Sequence, residues 1–208
     1  SIFGINIPTH RPNFFVKFFF NTIENSVENY DAYDNNNYHY LSLYLKLLGK
    51  LNIKIFSKDH YLPYDSNQRK SKFKKPYFLF HIDQRWESFD TKAYENLKNK
   101  ILSLSKNNYI VISSNIGGNK VFNRLTYELL NVLNIEILYE VDLNEMLSLI
   151  YNSHTCVSSH SGLIVHIAAA FKKKIIDIVP EKIFNQLDRW IPYNINYKRY
   201  NIDDSSNL

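Results

Sequence analysis

The chain has 208 residues, 45% of them apolar and 22% charged, enough to bury a sizeable core in one or two domains. Its formal net charge of +5 directs attention to anionic ligands or surfaces, and its single cysteine, Cys156, excludes an internal disulfide. No apolar run of about 18 residues is present, which argues against a membrane-spanning helix.

The opening Ser1-Ile2-Phe3-Gly4 has no basic stretch ahead of an apolar core, so no signal peptide is expected. A start at serine rather than methionine suggests a processed or excerpted chain. Ile2 to Ile7 reads as a short strand that Pro8 ends. Phe14 to about Asn29 is predicted as a helix, with Val16, Phe19, Phe20, Ile23 and Val27 on one side. Tyr30 to Asn37 is rich in Asp and Asn and reads as a loop. Tyr38 to Lys50 is a second predicted helix, with Leu41, Tyr44, Leu45 and Leu48 in register and Gly49 near its end. Ile53 to Phe56 is a short strand. Residues 58–76 turn polar and basic, contain Pro63 and end at Pro76, so they are the expected interdomain linker.

Beyond residue 77 the rhythm is regular. Strands are predicted at Tyr77 to Ile82, Tyr109 to Ser113, Ile135 to Leu138, Thr155 to Val157 and Ile175 to Val179. Helices carry Tyr94, Leu97, Ile101 and Leu104, then Phe122, Leu125, Leu129 and Val132, then Leu143, Met146, Leu147 and Ile150. Asp90 caps the first of these, and Asp142 with Glu145 resembles a capping box on the third. A fourth helix carries Ile164, Ile167, Ala168 and Phe171. Five strands alternating with four helices predict an α/β fold with a doubly wound parallel sheet.

The turn Ser158-Ser159-His160-Ser161-Gly162 lies between a strand and a helix. It places Ser161, Gly162 and unpaired N–H groups at a helix N-terminus, which suits a phosphate. An ordinary helix cap formed by Ser161 fits the same pattern. The spacing of His154, His160 and His166 matches no common ligand set, so no metal is expected. Basic residues cluster at Arg69-Lys70, Lys72, Lys74-Lys75 and Lys172 to Lys174. A solvated surface, a diphosphate ligand or an anionic membrane surface would each account for them. No nucleic-acid-binding motif accompanies the charge, so nucleic acid is not an expected partner.

The run from Ser158 to Ala170 resembles the C-terminal, nucleotide-binding half of glycosyltransferase family 9, the ADP-heptose:lipopolysaccharide heptosyltransferases and their relatives. Their signature is approximately Ser-Asn-Asp-Ser-Gly-Pro-Met-His-Leu-Ala-Ala-Ala, then a basic residue and a Val/Ile strand. Ser161, Gly162, His166 and the alanine run match it. His160 stands where the family carries an acidic residue, and one extra residue separates Gly162 from His166. His81-Ile82-Asp83-Gln84-Arg85-Trp86 resembles the family's strand-end His and following basic loop, with Glu87 where Pro is usual. Gly117-Gly118-Asn119 resembles the Gly-Gly turn after the next strand, where a Glu usually follows and holds the ribose. Asp142 to Met146 resembles a segment near the base.

The resemblance implies the C-terminal Rossmann-like domain of a GT-B enzyme over residues 77–208, with residues 1–57 as the remnant of an acceptor-side domain. It implies Ser159, Ser161, Gly162 and Arg85 at the donor diphosphate, and His81, His160, His166, Gly118 and Asn119 near the donor sugar or nucleoside. As a free reading, Arg85 is equally a surface arginine beside Trp86, His166 a core histidine, and Asn119 a helix N-cap. The implied activity is an inverting, metal-independent transfer of a heptose or similar sugar from a nucleotide-diphosphate donor. The acceptor would be a lipopolysaccharide or other lipid-linked or polysaccharide glycan. No separate cofactor is implied, because the nucleotide sugar is the substrate. The expected place is the cytoplasm, peripheral to the inner face of the membrane. The family's catalytic base lies in the N-terminal domain, and no residue here is assigned to it. A non-catalytic nucleotide-sugar-binding module is the alternative, and a nucleotide-sugar epimerase of similar architecture a third.

Overall fold

The computed structural model describes residues 3–6, 22–25, 62, 73, 75–115, 119–181, 184, 191–192 and 196–201. The chain divides into one unit of Ser1–Lys58 with Asn185–Ile191 and another of Asp59–Phe184 with Pro192–Leu208.

In the first unit, β1 (Phe3–Asn6) pairs in parallel with β2 (Thr22–Asn25), Phe3 facing Thr22 across the ladder. The helix expected over Phe14 to Asn29 is therefore corrected at Thr22–Asn25, which is strand. Thr22 and Ile23 are β-branched and suit a strand, and their pairing with β1 is a long-range choice that local periodicity does not register. The helix expected at 38–50, the strand at 53–56 and most of the linker lie outside the described residues.

The second unit is an all-parallel sheet of six strands in the order β5-β4-β3-β6-β7-β8. The strands are β3 (Tyr77–His81), β4 (Tyr109–Ser113), β5 (Ile135–Leu138), β6 (Thr155–Ser158), β7 (Lys174–Val179) and β8 (Tyr197–Asn201). The helices are α1 (Thr91–Ser105), α2 (Lys120–Leu129), α3 (Leu143–Asn152) and α4 (Gly162–Ala170), with a 3-10 turn at Gln84–Ser88. Side chains alternate across the sheet. Leu79, Val111, Cys156 and Ile175 pack with α3 and α4 on one face. Phe80, Ile110, Ile112, Val157 and Ile178 pack with α1 and α2 on the other. Both faces are occupied, so the central strands read as nearly continuous apolar runs.

The helix starts follow from their caps. Asp90 accepts from Ala93 N at 2.8 Å, Asn119 from Phe122 N at 2.9 Å, and Asp142 from Glu145 N at 2.7 Å. Helix α4 buries Ile164, Val165, Ile167, Ala168 and Ala169, more than a single stripe, because it lies against both the sheet and α3. The sixth strand is an addition to the five expected. Tyr197–Asn201, where no strand is expected from the sequence, forms β8, with Tyr197 beside Ile175 and Lys198 beside Ile176.

The chain steps outward from β3 to β4 to β5, then returns to the other side of β3 for β6 and steps outward again through β7 to β8. The winding direction reverses between β3 and β6. In open α/β sheets the loops that leave the carboxyl ends of two such strands diverge and open a crevice between them. Among the described residues, no helix is long and apolar enough to cross a membrane.

Candidate functional site

The first rim of the crevice is the end of β3. His81 lies beside Ser113 in the β3–β4 ladder, and its Nδ1 is 3.2 Å from the Ser113 hydroxyl. The ring is buried, and that burial lowers its pKa to about 4, against the opposing pull of the Asp83 carboxylate. At neutral pH the ring is an uncharged hydrogen-bonding group. Trp86, wholly buried, donates Nε1 to the His81 carbonyl at 2.9 Å, which folds the following loop back onto the strand end. Asp83 accepts from Arg85 N at 3.0 Å and from Arg85 Nη1 at 2.7 Å. The carboxylate is buried while the Arg85 side chain is 55% exposed. The guanidinium is therefore steered from beneath and presented to solvent, a suitable posture for an anion. Glu87 accepts from Lys120 N at 2.8 Å, tying this loop to the start of α2.

The second rim follows β4. Ser113 and Ser114 are buried. Asn119 is also buried, and its amide is engaged on both sides: Oδ1 caps α2, and Nδ2 donates to the Ile82 carbonyl at 2.8 Å. The structure gives this residue a structural task at the place where the family pattern suggested ribose contact. Gly118 lies outside the described residues.

The third rim follows β6. Ser158 and Ser159 are buried, and His160 adopts a left-handed conformation with φ of 47°. Ser161 holds the N-cap position of α4 and its carbonyl accepts from Val165 N at 2.9 Å, yet its hydroxyl makes no capping bond. At Gly162, the first residue of α4, an added Cβ would meet nothing within 4 Å. Neither packing nor a left-handed backbone demands glycine there, and the space before it is open. His166 lies just over one turn further along α4 and is partly buried.

Beneath this turn sits Asp177 of β7, fully buried, which the sequence reading missed. One of its oxygens accepts from His160 N, and the Ser158 hydroxyl lies 3.4 Å from the same oxygen. The other is 2.9 Å from His160 Nδ1 and accepts from the Tyr197 hydroxyl at 2.7 Å. Burial, and then the Asp177 charge, push the Tyr197 phenol above its usual range, so it stays protonated and donates. The signal available in the sequence was one acid inside the apolar run Ile175-Ile176-Asp177-Ile178-Val179. Charged side chains are almost never fully buried without partners.

The sheet thus brings His81 and the Ser158–Gly162 turn to the ends of neighbouring strands, with Arg85 on the loop after β3. Among the described residues, no group of three or more His, Cys, Asp or Glu side chains is placed to hold a metal ion.

A family model described as glycosyltransferase family 9 (heptosyltransferase) matches residues 39–187, more than half of the chain. No curated protein sequence matches. Among solved structures, a family 9 glycosyl transferase from Veillonella parvula DSM 2008 superposes with a TM-score of 0.65 at 11% identity, covering 93% of this chain and 55% of that one. The E. coli ADP-heptose lps heptosyltransferase II superposes with a TM-score of 0.51 at 16% identity, covering 67% of this chain and 44% of that one. At such identities the likeness is one of fold, and the chain spans about half the length of these proteins or less.

Proposed function

The chain belongs to glycosyltransferase family 9, and on that premise we propose that its crevice binds a nucleotide-diphosphate sugar and serves the transfer of that sugar to a cell-surface glycan. The sugar is a heptose or a similar unit, and the acceptor a lipopolysaccharide or related lipid-linked or polysaccharide chain. The reaction proceeds with inversion and without a metal ion, at a peripheral position beside an anionic membrane.

The observation that carries this reading is the start of α4 at the reversal of the sheet. The Ser161 hydroxyl leaves the first-turn amides uncapped, and Gly162 opens onto free space that no protein atom fills. A helix terminus of that kind carries partial positive charge and unpaired donors, which favour a diphosphate. Arg85, steered by Asp83, presents its remaining guanidinium N–H donors from the loop after the adjacent strand. During transfer, negative charge builds on the departing nucleoside diphosphate. Fixed donors stabilise that charge without reorganising. His81, kept neutral by burial, contributes a hydrogen-bonding surface without changing the charge of the site.

The test is calorimetric titration of the chain with ADP, UDP, GDP and CMP in the absence of divalent metal, repeated on Gly162→Asp. Binding of one nucleotide without metal, abolished by the added carboxylate, is the expected result. No binding by any of the four, or binding only with divalent metal present, overturns it. Nucleotide-sugar binding with no transfer to any glycan acceptor would mark a binding module instead.

A further inference from the structure

Asp177 and His160 are linked more tightly than an ordinary turn requires. Two contacts join them, one through the backbone N–H of His160 and one through its ring Nδ1, which lies 2.9 Å from Asp177 Oδ2. The carboxylate is fully buried, while the His160 side chain keeps 17% of its exposure. Two further donors complete the arrangement: the Ser158 hydroxyl, 3.4 Å from Oδ1, and the Tyr197 hydroxyl, 2.7 Å from Oδ2. Arg199 Nε donates in turn to the Tyr197 oxygen at 3.4 Å. A carboxylate surrounded by donors accepts from all of them, so Nδ1 must carry the proton that it shares with Oδ2. The tautomer of the neutral ring follows: Nε2 is a bare acceptor.

His160 immediately precedes Ser161, at the terminus where a phosphate would sit. Phosphate oxygens are themselves acceptors, so a bare Nε2 has no hydrogen bond to make with them. Its complement is a hydroxyl. We propose that Asp177 is a positioning residue that locks His160 as the Nδ1–H tautomer, and that His160 Nε2 accepts a hydrogen bond from a hydroxyl of the nucleotide-sugar donor. This rests on the nucleotide-sugar reading above. Asp177 sets His160 from beneath, and His160 selects a ligand with a hydroxyl at that position. In this way an imidazole performs acceptor chemistry where the family pattern has a carboxylate, with the charged oxygens of Asp177 held beneath the turn and engaged by protein donors. Donors that lack the hydroxyl leave the acceptor unpaired and bind more weakly.

The decisive variant is His160→Asn. Asparagine tolerates the left-handed backbone, and its amide N–H takes the place of Nδ1–H against Asp177, so the turn keeps its anchor. It lacks any atom at the position of Nε2. The 208-residue chain is titrated in alkaline buffer with the matched pairs ADP and ADP-glucose, UDP and UDP-glucose, and GDP and GDP-mannose. Unfolding midpoints are measured alongside. For the pair that binds, unchanged stability with about tenfold weaker binding of the sugar nucleotide, and unchanged binding of the plain diphosphate, assigns the contact to the transferred sugar. An equal loss for both members assigns it to the ribose. Undiminished binding of both overturns the contact while leaving the family reading intact. Absence of binding by the unsubstituted chain to every pair overturns both.

The lock is read independently by nitrogen-15 NMR of the ring. The wild-type chain should show a protonated Nδ1 and a bare Nε2, and Asp177→Asn should reverse the two or mix them. If Asp177→Asn fails to fold, the wild-type shifts alone decide, and a bare Nδ1 there overturns the lock.

Discussion

Asn119 donates its side-chain amide to the carbonyl of Ile82 at 2.8 Å, while its side-chain oxygen accepts from Phe122 N at 2.9 Å. One buried residue thus caps a helix and clasps the loop after β3 to the loop after β4. Asn119→Asp keeps the cap but turns an acceptor toward the Ile82 carbonyl. The buried charge set against that oxygen should cost about 3 kcal/mol or more, and Asn119→Ala, which loses both bonds without adding a charge, about 2–3 kcal/mol. Urea unfolding monitored by circular dichroism checks the order.

His81 makes stability depend on pH in a defined direction. Burial holds its folded pKa near 4, below the ordinary imidazole value of 6.5, so between those values the unfolded chain binds more protons. The folded state is therefore undisturbed by this group above about pH 6.5 and loses stability as pH falls toward 4, by an amount on the order of 3 kcal/mol. Unfolding midpoints at pH 7 and pH 5 should differ accordingly, and His81→Asn should flatten that part of the profile.

Gly162→Ala separates folding from ligand binding. The added methyl meets open space, and a helix position prefers alanine to glycine, so the melting temperature should hold or rise, by at most about 1 kcal/mol in stability. Nucleotide affinity should fall in the same variant, because the methyl intrudes on the ground in front of α4. A loss of stability together with unchanged affinity would show that the glycine serves the fold.

Asp177→Ala should be the most damaging single change near the site. It strands the His160 amide, the Ser158 hydroxyl and the Tyr197 hydroxyl in a buried region, at a cost of about 3 kcal/mol or more. Tyr197→Phe removes only one of these donors and should cost about 1 kcal/mol. Thermal unfolding of the two variants measures the ratio.

The fold was legible where local rules act locally. Asp90, Asn119 and Asp142 each cap within three residues of their own position, and the apolar strands β3 to β7 stand out because both faces are covered. β8 was not legible. Tyr-Lys-Arg-Tyr-Asn has no apolar alternation, lies at the sheet edge and is a strand only because β7 offers it a ladder. The strand–turn–helix around Ser158–Gly162 was legible as well. Its foundation was not, because Asp177 meets His160 across 17 residues and Tyr197 across 20. The double duty of Asn119 likewise depends on Ile82, a residue 37 positions away.

Cys156 is the single cysteine of the chain and sits in β6, between β3 and β7. Burial pushes its thiol up to about 11, so at neutral pH it is both hidden and unreactive. A thiol-labelling reagent therefore modifies only molecules in which β6 has left the sheet. Because β6 ends in Ser158 and leads into the His160 turn, the rate of labelling is a clock for the opening of that turn's support. A ligand that grips the start of α4 slows the clock, and it does so in a protein that needs no introduced probe.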